Sequence, residues 1–133
     1  MGGTSGGIYS LGLSAASQTL AGHQSNNRKT WWSALESAMR AITKYGGAEP
    51  GDRTMLDTLH VAGQVFKENI DVEESVLLVK LTDAAEEGAT STAGMVARAG
   101  RASYVASEYM KEEDAGARAV AIWLQAIIKY MIK

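Results

Sequence analysis

The chain of 133 residues has no cysteine, a single proline and only two histidines. The lack of cysteine excludes a disulfide framework and a thiolate metal site, and it fits a reducing, cytoplasmic setting. His23 lies in a polar stretch and His60 beside an apolar stripe, with no HxxxH spacing, so a zinc site is unsupported. No charge of one sign predominates: a formal net charge of -2 gives no electrostatic argument for a nucleic acid or an anionic membrane as partner. The longest apolar stretch, Ala119 to Ile132, is broken by Gln125 and Lys129 and is too short to span a bilayer. The opening MGGTSGG has neither the basic nor the apolar region of a secretory signal. A nucleophile-elbow G-x-S-x-G is absent, and the first glycine cluster lacks the lysine of a Walker A loop.

What is present is a globular balance of 46% apolar and 21% charged residues, over a length that suits one domain with one core. One proline lets helices run on, and the 14 glycines must then gather at turns. Five helical segments are legible and no strand. The first runs from about Ser5 to Leu20 with Ser5 as N-cap, and Gly22 to Lys29 reads as a surface loop. Thr30 is the expected cap of the second helix, whose stripe is Trp31, Ala34, Leu35, Ala38, Met39, Ile42 and Tyr45, with Gly46 and Gly47 ending it. The turn Pro50-Gly51-Asp52 delivers Asp52 as cap of the third helix, with Met55, Leu56, Leu59, Ala62, Gly63 and Phe66 as its stripe. A fourth helix starts near Asp71 or Val72 and extends past Met95 along a face of mostly small residues, which allow close helix approach. Asp114 caps the fifth, and Ser103 to Met110 has room for an additional short helix before it. The predicted fold class is all-α, an antiparallel helical barrel or bundle. It is expected to be incomplete at the N-terminus, because the chain opens on a glycine cluster with nothing before it to pack on.

Three segments, each at a helix N-terminus, are candidates for chemistry. Gly2-Gly3-Thr4-Ser5-Gly6-Gly7 combines glycines that admit an anion close to the backbone with two hydroxyl donors. On composition alone, a glycine-rich terminus with a serine cap is the simpler account of it. Gly46 to Met55 is explained as a helix connection, except for Arg53, Thr54 and Asp57, which are candidates for the rim of a polar pocket. Arg101, in Gly100-Arg101-Ala102-Ser103-Tyr104, is either a phosphate-binding guanidinium or an exposed loop residue. The glutamate doublets 73–74, 86–87 and 112–113 read as solvated surface.

Taken in order, GGTSGGIYSLGL, AEPGDRTMLDTL and MVARAGRASYVASEYMKEEDAGA resemble the nucleotide-binding domain of the dihydroxyacetone kinases over essentially the whole chain. The resemblance implies a closed barrel of antiparallel helices holding ATP or ADP at one end. By motif match it places Thr4 and Ser5 at the phosphates and Gly46, Thr54 and Met55 beside the nucleotide, Met55 against the adenine. Arg101, Asp114 and Gly116 complete the set, with Ala115 standing where the family commonly has proline. Residues 1–133 then correspond to the C-terminal portion of that domain. The family's aspartate-rich loop, which binds two Mg2+ ions, has no counterpart here, so no metal ligand and no catalytic residue is assigned. The implied parent transfers the γ-phosphate of ATP to dihydroxyacetone or a related short keto-sugar. Its partner is a dihydroxyacetone-binding kinase domain that holds the sugar on a histidine, in the same chain or a separate subunit. Fused members also carry an FMN-cyclising activity. The alternatives are a related kinase with another acceptor, or a catalytically inactive helical module that binds the sugar domain. Uncovered apolar stripes would favour self-association.

Overall fold

The computed structural model describes the backbone of residues 3–23, 27–95 and 112–132, and the side chains of 6–23, 27–95 and 112–130. The described residues form five helices and no strand, as the all-α reading predicts. They are α1 (Gly3–Ala21), α2 (Arg28–Gly46), α3 (Met55–Glu68), α4 (Glu74–Thr90) and α5 (Ala115–Ile132). The expected short helix over Ser103 to Met110 lies outside the described residues. Two compact units emerge, Met1–Gly47 and Ala48–Lys133.

In the first unit, α1 and α2 lie side by side. A Cβ on Gly12 would meet Ile42 Cδ1 at 3.1 Å, and one on Gly46 would meet Ile8 Cγ1 at 3.9 Å. Thr19 Oγ1 donates to Ser37 Oγ at 2.7 Å. Positions rising along α1 thus meet positions falling along α2, which makes the pair antiparallel. α1 begins two residues before the expected Ser5, so Ser5 belongs to its first turn and is not its cap. The cap of α2 is Asn27, not Thr30: Asn27 Oδ1 accepts from the Thr30 N–H at 3.0 Å and from Thr30 Oγ1 at 3.1 Å. Thr30 is instead buried in the first turn. Burial of the α2 stripe concentrates at Ala34 and Ile42, while Trp31 and Tyr45, in the terminal turns, are exposed. Gly47 ends the helix in the left-handed conformation (φ 72°), its N–H donating to the Thr43 carbonyl.

In the second unit, α3, α4 and α5 all pack on one another. Leu56, Leu59, Leu77, Leu78, Val120 and Ile128 supply its bulk. Ala84, Ala85, Gly88, Ala89, Ala117 and Ala121 supply the thin faces that let the backbones approach. The crossing of α3 and α4 is closest at Gly88, where a Cβ would lie 2.7 Å from Thr58 Cα. Because this joins the start of α3 to the end of α4, the two run antiparallel. Gln125 Nε2 donates to the Thr82 carbonyl and Asp114 N–H to Thr92 Oγ1, so α4 and α5 are antiparallel as well. It follows that α3 and α5 are parallel, with their N-termini at the same end.

The fourth helix is shorter than its periodicity suggests, starting at Glu74 and stopping at Thr90. Its end has a local cause. Three successive hydroxyls turn back on the last carbonyls: Thr90 Oγ1 to Glu86 and Glu87, Ser91 Oγ to Gly88 and Thr92 Oγ1 to Ala89. Gly94, at φ 84°, completes the exit.

The Gly88 crossing makes a direct prediction. Alanine gains about 1 kcal/mol of helix propensity over glycine, but its methyl would meet backbone, which cannot rotate aside. Gly88→Ala therefore destabilises the fold by about 1–3 kcal/mol in urea unfolding; unchanged or raised stability would refute the close crossing.

Candidate functional site

Parallel α3 and α5 bring two N-terminal turns together, and the loop before each is tied down by its own polar side chains. Gly51, at φ 99°, makes the turn after Pro50. Asp52 was the expected cap of α3, but its Oδ2 accepts from the Glu49 N–H at 2.9 Å and so closes its own turn. The cap is Thr54, whose backbone is extended and whose Oγ1 accepts from the Leu56 N–H at 3.2 Å. Asp57 completes a capping box by accepting the Thr54 N–H at 2.8 Å, and its other oxygen takes the Gly51 N–H at 2.6 Å. The Asp57 carboxylate is therefore buried and spent on the loop backbone, not on a pocket rim.

Asp114 does for α5 what Thr54 does for α3, as the sequence suggests. Its Oδ2 accepts from the Ala117 N–H at 2.9 Å and its backbone N–H donates to the buried Thr92 Oγ1 at 2.8 Å. Ala115 is the first residue of α5, the position where proline fits a helix because the N–H has no intrahelical acceptor. Gly116 follows. A Cβ there would lie 3.1 Å from Asp114 Oδ2, 3.5 Å from Met55 Cβ and 3.6 Å from Met55 N. Met55 and Gly116, 61 positions apart, thus face each other at the joint of the two helices.

Arg53 spans the same joint. Its side chain is only 6% exposed, Nη2 donates to the Glu112 carbonyl at 2.6 Å and Nη1 lies 3.6 Å from Asp114 Oδ1. Nε is a buried nitrogen without a hydrogen-bond partner. The residue holds φ 64°, in the left-handed region that favours glycine. Deeper in, Thr58 Oγ1 donates to the Ala117 carbonyl at 2.8 Å.

On the outside of the joint, Arg118 donates Nε and Nη2 to the two Glu113 oxygens at 2.6 Å each, and Nη1 and Nη2 to Glu86 at 2.7 and 3.0 Å. These hydrogen bonds hold the Glu113 and Glu86 carboxyls below the usual carboxylate range, Gln125 adding to the effect at Glu86. The same bonds push the Arg118 guanidinium further up. Glu86 and Glu113 are therefore not merely solvated, as the doublets suggested.

Of the eight nucleotide candidates, Thr54, Met55, Asp114 and Gly116 are brought together in the second unit. Gly46 is the last residue of α2 in the first unit. Thr4 and Ser5 lie in the first turn of α1, their side chains outside the described ones, and Arg101 lies outside the described residues. Sequence reasoning passed over Thr58 and Arg118 and placed Arg53 at a rim; the Thr-x-x-Asp spacing of Thr54 and Asp57 is the one local signal that reveals the true cap. Among the described residues no group of three or more histidine or acidic side chains could hold a metal ion. No described helix is long and apolar enough to cross a membrane.

Residues 1–129 match the DAK2 domain, and the chain belongs to that family. It is 41% identical over 133 residues to the triokinase/FMN cyclase of Homo sapiens, a match covering 98% of this chain and 23% of the human protein. Dihydroxyacetone kinase 2 of Saccharomyces cerevisiae is 40% identical over 116 residues, covering 86% of this chain and 19% of the yeast protein. The L-erythrulose 1-kinase of Mycolicibacterium smegmatis is 26% identical over 132 residues, 99% of this chain and 23% of that enzyme. The chain thus spans less than a quarter of the length of these relatives.

The Arg118 cluster has a pH signature. Glutamate normally titrates near about 4.3, and both carboxyls are held lower when folded, so their contribution is complete above that pH and is lost as pH falls through the folded values. Arg118→Ala removes it. At neutral pH the variant is less stable by about 0.5–1 kcal/mol, as partly exposed pairs give, and its melting temperature falls less than the parent's on acidification to about pH 3. Parallel curves for the two proteins would remove the cluster from the acid response.

Proposed function

We propose that this chain is part of the ATP-binding domain of a kinase that phosphorylates dihydroxyacetone or a related short keto-sugar. The observation that carries the proposal is the meeting of Met55 and Gly116. They come from two separate sequence segments, each of which resembles the family's nucleotide-binding strings, and both open a helix at the same end of the second unit. First-turn N–H groups have no intrahelical acceptor, and the positive ends of two parallel helix dipoles favour a negative group. A nucleotide at this joint has N–H donors at Met55, Ala115 and Gly116 for its anionic part. Met55, which is 8% exposed, is assigned to the base by the resemblance. The lack of a side chain at Gly116 lets Asp114 and Met55 close on its backbone, which sets the two N-terminal turns side by side. Thr4, Ser5, Gly46 and Arg101 are carried in the proposal on the resemblance alone.

The resemblance implies Mg2+ in the complete domain. The carboxylates at the joint do not fit that role: Asp52 and Asp57 are committed to loop N–H groups, and Asp114 to its helix cap and to Arg53. Phosphoryl transfer rests mainly on positioning and charge neutralisation, so this segment contributes nucleotide binding and little or no catalysis by itself. The acceptor belongs to a dihydroxyacetone-binding kinase domain, proposed as the partner. The relatives' different named acceptors accord with acceptor choice lying outside this segment.

Titration calorimetry of the 133-residue chain with ADP and ATP tests the reading. Binding is expected with a Kd of about 1–100 μM, indifferent to Mg2+, and weakened about tenfold or more by Gly116→Val, whose side chain crowds Met55 and Asp114. Absence of binding to either nucleotide would overturn the nucleotide reading and favour the non-catalytic helical module. Affinity that depended on Mg2+ would contradict the assignment of no metal ligands.

A further inference from the structure

Arg53 is a costly residue where it stands. Its backbone is held at φ 64°, which glycine or asparagine takes more readily. Its guanidinium is withdrawn from water to 6% exposure, and one of its nitrogens, Nε, is buried without a partner. In return it makes one short hydrogen bond, to the Glu112 carbonyl, and one longer ion pair, to Asp114. Nor is it needed simply to join the helices. Thr58 already bonds α3 to α5, and Thr92 already anchors Asp114 from α4. What Arg53 adds is specific: it fixes residues 112–114 against the loop that delivers Thr54 and Met55. Backbone strain with poor local return is characteristic of sites where geometry is held for a ligand.

We propose that Arg53 is the positioning residue of the nucleotide site, a role that rests on the nucleotide reading above. It acts through Asp114. The Nη1–Oδ1 ion pair holds one carboxylate oxygen so that the other stays on the Ala117 N–H, and this orients the first turn of α5 that carries Ala115 and Gly116 toward Met55. Arg53 itself does not contact the nucleotide. Removing it leaves the helices packed but the two N-terminal turns loosely set, so the loss appears in nucleotide affinity before it appears in stability.

The test compares Arg53→Asn, which tolerates the left-handed backbone, with Ile128→Val, which opens a small cavity in the core toward the far end of α5, both in the full-length kinase proposed to contain this segment. ADP affinity, melting temperature and ATP kinetics are measured for each. Arg53→Asn is expected to raise the Kd for ADP and the KM for ATP about tenfold while kcat changes less than about threefold. Ile128→Val is expected to lose melting temperature yet bind ADP within about twofold of the parent. Should Arg53→Asn fail to fold, Arg53→Lys serves: one ammonium cannot hold both Glu112 and Asp114, and about a fivefold weaker ADP affinity is expected with folding retained. The proposal is overturned if the Arg53 variant that folds binds ADP within about twofold of the parent. It is equally overturned if both positions weaken binding in proportion to their loss of melting temperature, which marks a general structural role. A parent protein that binds no ADP fails the nucleotide reading first, and this proposal with it.

Discussion

Thr58 is the point at which the three helices of the second unit are joined. Its backbone is the surface on which Gly88 of α4 rests, at a distance that admits no side chain, and its hydroxyl reaches the Ala117 carbonyl of α5. A side chain at Gly88 would separate α4 from α3, and loss of the Thr58 hydroxyl would leave the Ala117 carbonyl without this donor. The parallel setting of α3 and α5 depends on this knot. With it in place, residues far apart in sequence arrive at one end of the unit as a pair of helix N-termini, and everything proposed about nucleotide binding starts from that juxtaposition.

The polar groups around the joint are apportioned in an orderly way. Asp57 serves the loop before α3, Asp114 serves the first turn of α5, and Thr92 ties Asp114 to the end of α4. Arg118 then clamps Glu113 and Glu86 on the outer side. Each of these arrangements satisfies groups that burial or a helix end would otherwise leave unpaired. Arg53 is the exception, with a strained backbone and a spare donor. In a region where other polar atoms are accounted for, the residue that breaks the pattern is the one whose role is most specific to function.

Much of this was legible in the sequence, and the rest was not for identifiable reasons. The helices follow from apolar spacing and from glycine and proline placement, and Asp114 as a cap follows from its position before a small, apolar run. The sequence points to Thr30 and Asp52 where the caps are Asn27 and Thr54, because several oxygen-bearing side chains stand near each helix start and only backbone geometry chooses among them. The end of α4 escaped notice because periodicity continues past Thr90 while three hydroxyls turn the chain away. The bonds from Arg53 to Glu112 and from Arg118 to Glu86 join residues 59 and 32 positions apart. No local pattern encodes these pairings; they exist only once the helices have packed. The motif strings nonetheless located Thr54, Met55, Asp114 and Gly116, which the fold then assembled.

The central claim is that the N-termini of α3 and α5 form one nucleotide-binding joint. Amide hydrogen exchange, read by mass spectrometry with and without ADP, tests it most directly, since exchange reports local opening segment by segment. The account predicts slower exchange on ADP addition in peptides covering both 53–57 and 114–118, with the middle of α4 unchanged. Protection confined to one of the two segments, or found in neither while ADP is bound, would contradict it.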